Sequence, residues 1–173
     1  MAVRAYFSGV ESGMHFGHCV RAGVKHVLMS YLQFYKHDLN IVRQRKKKHP
    51  EMQFMVDSGA FTFITEWQNY MTWTRQDFEK YLKGYVEWLK RNQEYVTIAV
   101  EYDIDHTLNM VLGGNADSTI GGSIVQGWQE QHFRPLVEQG MDIIFVWHEN
   151  RGIDGWEDMC RRYAHVGMPG HFS

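Results

Sequence analysis

Residues 52–61 read Met-Gln-Phe-Met-Val-Asp-Ser-Gly-Ala-Phe. A short apolar run, Phe54-Met55-Val56, stops at one carboxylate, Asp57, and the small-residue corner Ser58-Gly59-Ala60 leads to an aromatic, Phe61. In α/β proteins the reactive groups sit where buried strands give way to loops. A carboxylate half-removed from water costs free energy unless hydrogen bonds compensate it. Asp57 is therefore either tied down by its own turn, as Asx residues often are, or held for chemistry. Asp103 and Asp105 stand at the end of another apolar run, and His148-Glu149 at the end of a further one. His15 and His18, three apart on an expected helix, are metal-ligand types. A metal is not expected at this pair.

The elements that must position these groups alternate in type. Strands are expected at residues 4–8, 26–31, 53–56, 96–101 and 142–147, with a sixth starting at 165–168. Helices are expected at 14–22, ending at Gly23, at 33–48, closed by Pro50, and at 153–164. A further helix is expected around 123–138, weakened by Gly127 and Pro135. The clearest helix is 75–92. Phe78, Tyr81, Leu82, Tyr85, Trp88 and Leu89 recur at threes and fours. Thr74 and Asp77 fit a capping box at its start. Such alternation implies parallel strands with right-handed crossovers. From pattern alone, five units and one strand fit a doubly wound open sheet without a missing part. A (β/α)8 barrel needs eight units and about 250 residues.

The chain has 173 residues, enough for one domain with a core, and 44% hydrophobic and 14% aromatic residues. Its formal net charge of −2 provides no global field for nucleic acid or anionic membrane. Cys19 and Cys160 match no metal or redox spacing and read as reduced thiols. Neither a leader peptide nor an apolar run of membrane length is visible, so a cytoplasmic protein without membrane contact is expected.

The motif Asp57-Ser58-Gly59-Ala60-Phe61 resembles that of the tRNA-guanine transglycosylase superfamily, which carries Asp-Ser-Gly-Gly and then Phe or Tyr at the end of its third barrel strand. The likeness is strongest to the branch of phages and bacterial DNA-modification clusters that inserts 7-deazaguanines into DNA. Phe7-Ser8-Gly9-Val10, Leu28-Met29-Ser30-Tyr31, Asp103 after Glu101-Tyr102, His148-Glu149 and Val166-Gly167 fall in the order of that branch. Only the Asp57 motif is specific; the rest is ordering and spacing.

The resemblance reverses the preference for an open sheet. It implies one partial (β/α)8-barrel domain over residues 1–173, with about six strands of eight. It implies exchange of guanine for a 7-deazaguanine in nucleic acid, DNA ahead of tRNA, without a cofactor. Asp57 takes the proton-shuttle role, Phe61 stacks on the base, and Asp103 accepts its N–H groups. Ser58, Gly59, His148, Glu149 and Gly167 fall among the other base-binding positions. Ala60 replaces the family's second glycine, and Thr62 replaces the Gln usual after the aromatic. No residue here matches the strand-seven Asp that attacks the sugar or the C-terminal Cys/His zinc site. The expectation is an N-terminal portion or split subunit, inactive alone, completed by a second chain or a homo-oligomer. The alternatives are a purine-binding remnant without catalysis and a metal-dependent barrel hydrolase using His15, His18, His148 and Asp57.

Two more stretches carry competing readings. Residues 43–49, Arg-Gln-Arg-Lys-Lys-Lys-His, either grip phosphate or form a solvated helix end whose cations complement the dipole. Phe61, Phe63, Trp67, Tyr70 and Trp73 form either a base-stacking lid or ordinary packing of a long loop.

Overall fold

The computed structural model describes residues 4–116 and 118–168. Five parallel strands lie side by side in sequence order: β1 (His26–Ser30), β2 (Gln53–Asp57), β3 (Ile98–Val100), β4 (Ile143–Val146) and β5 (Val166–Gly167). The expected first strand is reduced to one parallel bridge, Phe7 to Val27. It is held by Phe7 N–H to the His26 carbonyl at 3.1 Å and Leu28 N–H to the Phe7 carbonyl at 2.8 Å. Six parallel segments thus follow one another without a reversal. A doubly wound sheet needs a reversal, so the open-sheet order suggested by pattern alone does not hold.

Alternation along the strands decides which side chains face what. Val27, Met29, Phe54 and Val56 are fully buried, whereas Ser30 and Asp57 belong to the less buried series of their strands. β1 and β2 pair along their whole length, which sets Ser30 directly opposite Asp57.

Nine helices among the described residues connect or follow the strands: α1 (Gly13–Arg21), α2 (Tyr31–Phe34), α3 (Ile41–Lys48), α4 (Ala60–Thr65), α5 (Arg75–Asn92), α6 (Asp105–Leu112), α7 (Ile120–Trp128), α8 (Arg134–Glu138) and α9 (Gly152–Arg162). The α5 stripe is buried as expected, and Thr74 and Asp77 form the reciprocal capping box. α5 also fastens the sheet. The Tyr85 hydroxyl lies 3.0 Å from the Val56 carbonyl and 2.8 Å from that of Val100. Tyr81 donates to the Ser58 carbonyl at 2.6 Å.

The helix expected over 33–48 is two helices. Between them, the Asp38 carboxylate accepts from Asn40 N–H at 3.0 Å, and Trp88 Nε1 takes the Leu39 carbonyl at 2.8 Å. These contacts hold the chain in a turn that helical periodicity does not reveal. The loop expected after residue 61 contains α4 and a 3-10 turn, Trp67–Tyr70, and α6 was not expected. The helix expected around 123–138 starts earlier. It runs through α7, a π-helical turn at Gln129–Phe133 and α8. The wide turn comes just before Pro135, which lacks an N–H for a regular helical bond.

Candidate functional site

Asp57 is the last residue of β2, and the chain turns sharply behind it. Its Oδ1 accepts from the Gly59 N–H at 2.5 Å. Gly59 has φ +92°, and a Cβ there would stand 2.4 Å from Leu32 Cβ. Backbone sign and space both require glycine at this corner. Ala60 opens α4 and packs against the core, its side chain accommodated by an ordinary helical turn. The turn and α4 deliver Phe61 to the surface, where it is 62% exposed.

Asp57, Gly59, Phe61 and Thr62 line a cleft of about 520 Å3 together with Ser8, Gly9, Glu11, Leu28, Ser30 and Gln33. Burial pushes the Asp57 carboxyl above its ordinary value, the Gly59 N–H and the Ser30 side chain pull it back, and the charge of Glu11 raises it again. A carboxyl so placed holds a proton more readily than one in water, which suits acid–base exchange.

A second cluster sits beyond β3 and β4. His148 Nε2 contacts Asp103 Oδ1. Arg151 donates one Nη to both oxygens of Asp105, at 3.3 and 3.1 Å. Burial pushes the Asp103 carboxyl up, and the His148 contact pulls it back only in part. Burial lowers His148, but the hydrogen bond and charge of Asp103, with Asp105, outweigh it and leave the imidazole raised. The two shifts differ from a plain surface ion pair because Asp103 is almost wholly out of water. The imidazolium–carboxylate form is the one the contact favours. Asp103, Asp105 and His148 also bring one ligand atom each within 4.8 Å of one another, and among the described residues they are the group able to hold a metal ion. Arg151 already neutralises one of these carboxylates.

Beneath this cluster Glu101 is fully buried. Its Oε1 accepts from Val146 N–H at 2.6 Å and from Gln129 Nε2 at 2.7 Å, while Oε2 has no partner. Burial and the neighbouring Asp103 charge hold Glu101 well above the usual carboxylate range. The π-helical turn supplies Gln129, and Arg151 Nη1 lies 3.4 Å from the Gln129 Oε1.

The structure therefore places Asp57, Gly59 and Phe61 in one cleft and pairs Asp103 with His148 at the ends of neighbouring strands, outside that cleft's lining. Ser58 is fully buried, with its carbonyl on Tyr81. Glu149 is exposed and opens a 3-10 turn after β4. Gly167 pairs with Val146 in β5 and its carbonyl accepts from Trp147 N–H at 2.9 Å. His15 is turned to the Gly9 carbonyl through Nδ1, and neither it nor His18 joins Asp57 and His148 in a metal-holding group among the described residues. The basic run is largely occupied. Arg45 donates to the Val10 and Glu11 carbonyls, Lys46 to those of Pro50 and Met52, and Arg43 lies over the Tyr95 ring. Of the aromatic stretch, Phe63 is fully buried and packs with Tyr70 and Trp73, and Phe61 is the member that lines the cleft beside Asp57.

Glu11, Ser30, Gln129 and Arg151 were missed in the sequence. Glu101 stood there only as the last residue of the expected strand 96–101 and as a neighbour of Asp103. Comparison with family models, curated proteins and solved structures finds no match. No helix among the described residues is long and apolar enough to cross a membrane.

Proposed function

We propose that this chain carries the base-binding and proton-moving rim of a nucleic-acid base exchanger of the transglycosylase kind, acting on guanine and a 7-deazaguanine, with DNA ahead of tRNA. The observation that carries it is the setting of Asp57. It ends the third of six parallel segments, its turn needs Gly59, and its cleft falls in the size range of small-molecule sites, about 300–1,000 Å3. In this reading the six segments are the first strands of a (β/α)8 barrel. The bridge at Phe7 marks the first strand, and Asp103 and His148 follow the fourth and fifth.

The proton-shuttle role suits Asp57, because departure of guanine requires an acid and arrival of the new base requires the conjugate base. Phe61 stacks on the purine face. The Asp103 carboxylate, held by His148 beyond the lining of the Asp57 cleft, is assigned the N–H edge of the base, and the Gly167 backbone stands at the end of β5. This reading assigns the attack on C1′ to none of the described residues.

Labelled guanine exchange into DNA and into tRNA tests this. The expected result is exchange by a protein that holds this chain together with the attacking carboxylate. That exchange should fall at least about a hundredfold in Asp57→Asn. Exchange that survives Asp57→Asn overturns the assignment.

A metal-dependent hydrolase is the second reading. It has the Asp103, Asp105 and His148 group in its favour and the Arg151–Asp105 pair against it. Elemental analysis of the purified protein separates the two.

A further inference from the structure

A second pocket lies between α2 and α5. It has a volume of about 350 Å3 and shares no lining residue with the Asp57 cleft. Four rings wall it: Tyr31 and Tyr35 from α2 and its end, Trp73 from the segment before α5, and Tyr81 from α5 itself. Tyr31 holds Tyr35 and Tyr81 with ring centroids 5.4 and 5.6 Å away, and Tyr35 and Tyr81 are 5.3 Å apart. Tyr81 also donates to the carbonyl of Ser58, the residue after Asp57, so the pocket wall braces the Asp57 turn.

Two features point to a ligand. Tyr31 is only 5% exposed, yet among the described residues its hydroxyl makes no hydrogen bond. Unlike the sealed hydroxyl of Tyr102, it keeps access to solvent. Burial pushes its pKa up to about 12, so it remains a donor at neutral pH. Gly84 is the second feature. It stands in the middle of α5, where glycine is less stable than alanine. Its φ is not positive, and a Cβ there would meet nothing within 4 Å except the Tyr31 hydroxyl, at 3.4 Å. Neither backbone sign nor crowding calls for glycine. What the missing methyl leaves is space over that hydroxyl.

The charges around the pocket decide the ligand. Lys80 lines it and makes no ion pair or hydrogen bond among the described residues. Lys36 lies over the Tyr35 ring, 5.3 Å from its centroid. The one acid in the lining, Asp77, is committed to the helix cap: its Oδ2 accepts from the Thr74 N–H at 2.8 Å and the Thr74 hydroxyl at 2.7 Å. Rings beside uncommitted lysines suit a planar base that carries a phosphate. The same lysines repel the organic cation that a box of rings would otherwise take.

We propose that this pocket binds one nucleotide, with the base against the Tyr35 and Trp73 rings, a polar atom of the base edge on the Tyr31 hydroxyl and the phosphate at Lys80. Its volume, at the small end of the range for ligand sites, fits a single unit. The ligand class comes from the rings and charges of the pocket. Its use as a hold on a nucleotide beside the exchanged one rests on the base-exchange reading.

Amide and indole NMR of the whole 173-residue chain tests this, with deoxyadenosine monophosphate and a single-stranded deoxyadenylate hexamer as probes. Both should shift the Trp73 Nε1–H and the Gly84 amide. Tighter binding of the hexamer assigns the nucleotide to a strand, and equal affinities assign it to a free nucleotide. Tyr35→Ala should weaken hexamer binding at least about fivefold. Lys80→Gln should weaken it and reduce the slope of log affinity against log salt by about 0.7. Gly84→Ala should weaken it while raising the denaturant midpoint, a combination that a purely structural glycine does not give. Absence of shifts at Trp73 and Gly84 with both probes overturns the proposal, as do shifts there with choline in place of the nucleotides. Affinity unchanged in both Lys80→Gln and Gly84→Ala overturns it as well. Nucleotide binding here without base exchange leaves the pocket standing and removes the base-exchange reading; exchange without binding here does the reverse.

Discussion

At the scale of single residues, Gly59 and Glu101 show how function is held in place by contacts with no direct chemistry. Gly59→Ala forces an L side chain into the left-handed region and into Leu32. The expected loss is about 2–5 kcal/mol of stability, from strain and overpacking together, read by denaturant unfolding. Glu101 gives a pH-dependent prediction. Its folded proton affinity is raised, so its contribution to stability is complete below the ordinary carboxylate value and is lost as pH rises through the raised folded value. Asp57 acts in the same direction. Glu101→Gln should therefore flatten the fall of stability with rising pH and cost nothing at neutral pH. Glu101→Ala should cost about 1–3 kcal/mol for each donor it orphans, Val146 N–H and Gln129 Nε2. Thermal melts of both variants across the pH range check the sign. An unchanged slope in Glu101→Gln would show that Glu101 is already ionised in the fold.

At the scale of elements, Tyr85 is the fastening that sets the ends of β2 and β3 side by side. Tyr85→Phe should cost about 1–3 kcal/mol, because a fully buried hydroxyl reaches the carbonyls of Val56 and Val100. Loss of guanine binding beyond that expected from stability would show that the fastening also positions Asp57. Elements were legible where one local rule sufficed. The α5 stripe and its capping box could be read from Thr74 onward, as could the strand ends at Asp57 and after Val100. What stayed hidden depended on distant partners. Glu11 meets Ser30 across 19 residues and leaves no periodic trace. Gln129 reaches Glu101 through a π-helical turn that apolar spacing does not encode. The break between α2 and α3 is set by Trp88, far along the chain. α6 is short, and the polar residues Thr107 and Asn109 are buried by bonds to the Phe63 carbonyl and the Gly121 N–H, which reads as a loop in sequence.

At the scale of the whole molecule, parallel segments in sequence order bring several strand ends to one rim, and the reactive groups come from separate strand–loop junctions along it. Among the described residues the outer edge of β5 pairs with no further strand, and such an edge invites another chain. The claim that this rim binds a purine is open to calorimetry with guanine and a 7-deazaguanine. Wild-type protein should bind weakly. Asp103→Ala should lose about 1.5–3 kcal/mol of affinity, roughly 10–150-fold, because a charged acceptor for the base N–H groups is gone. Equal affinity in the wild type and Asp103→Ala, or no binding by a folded wild type, would contradict the reading of this rim as a purine site.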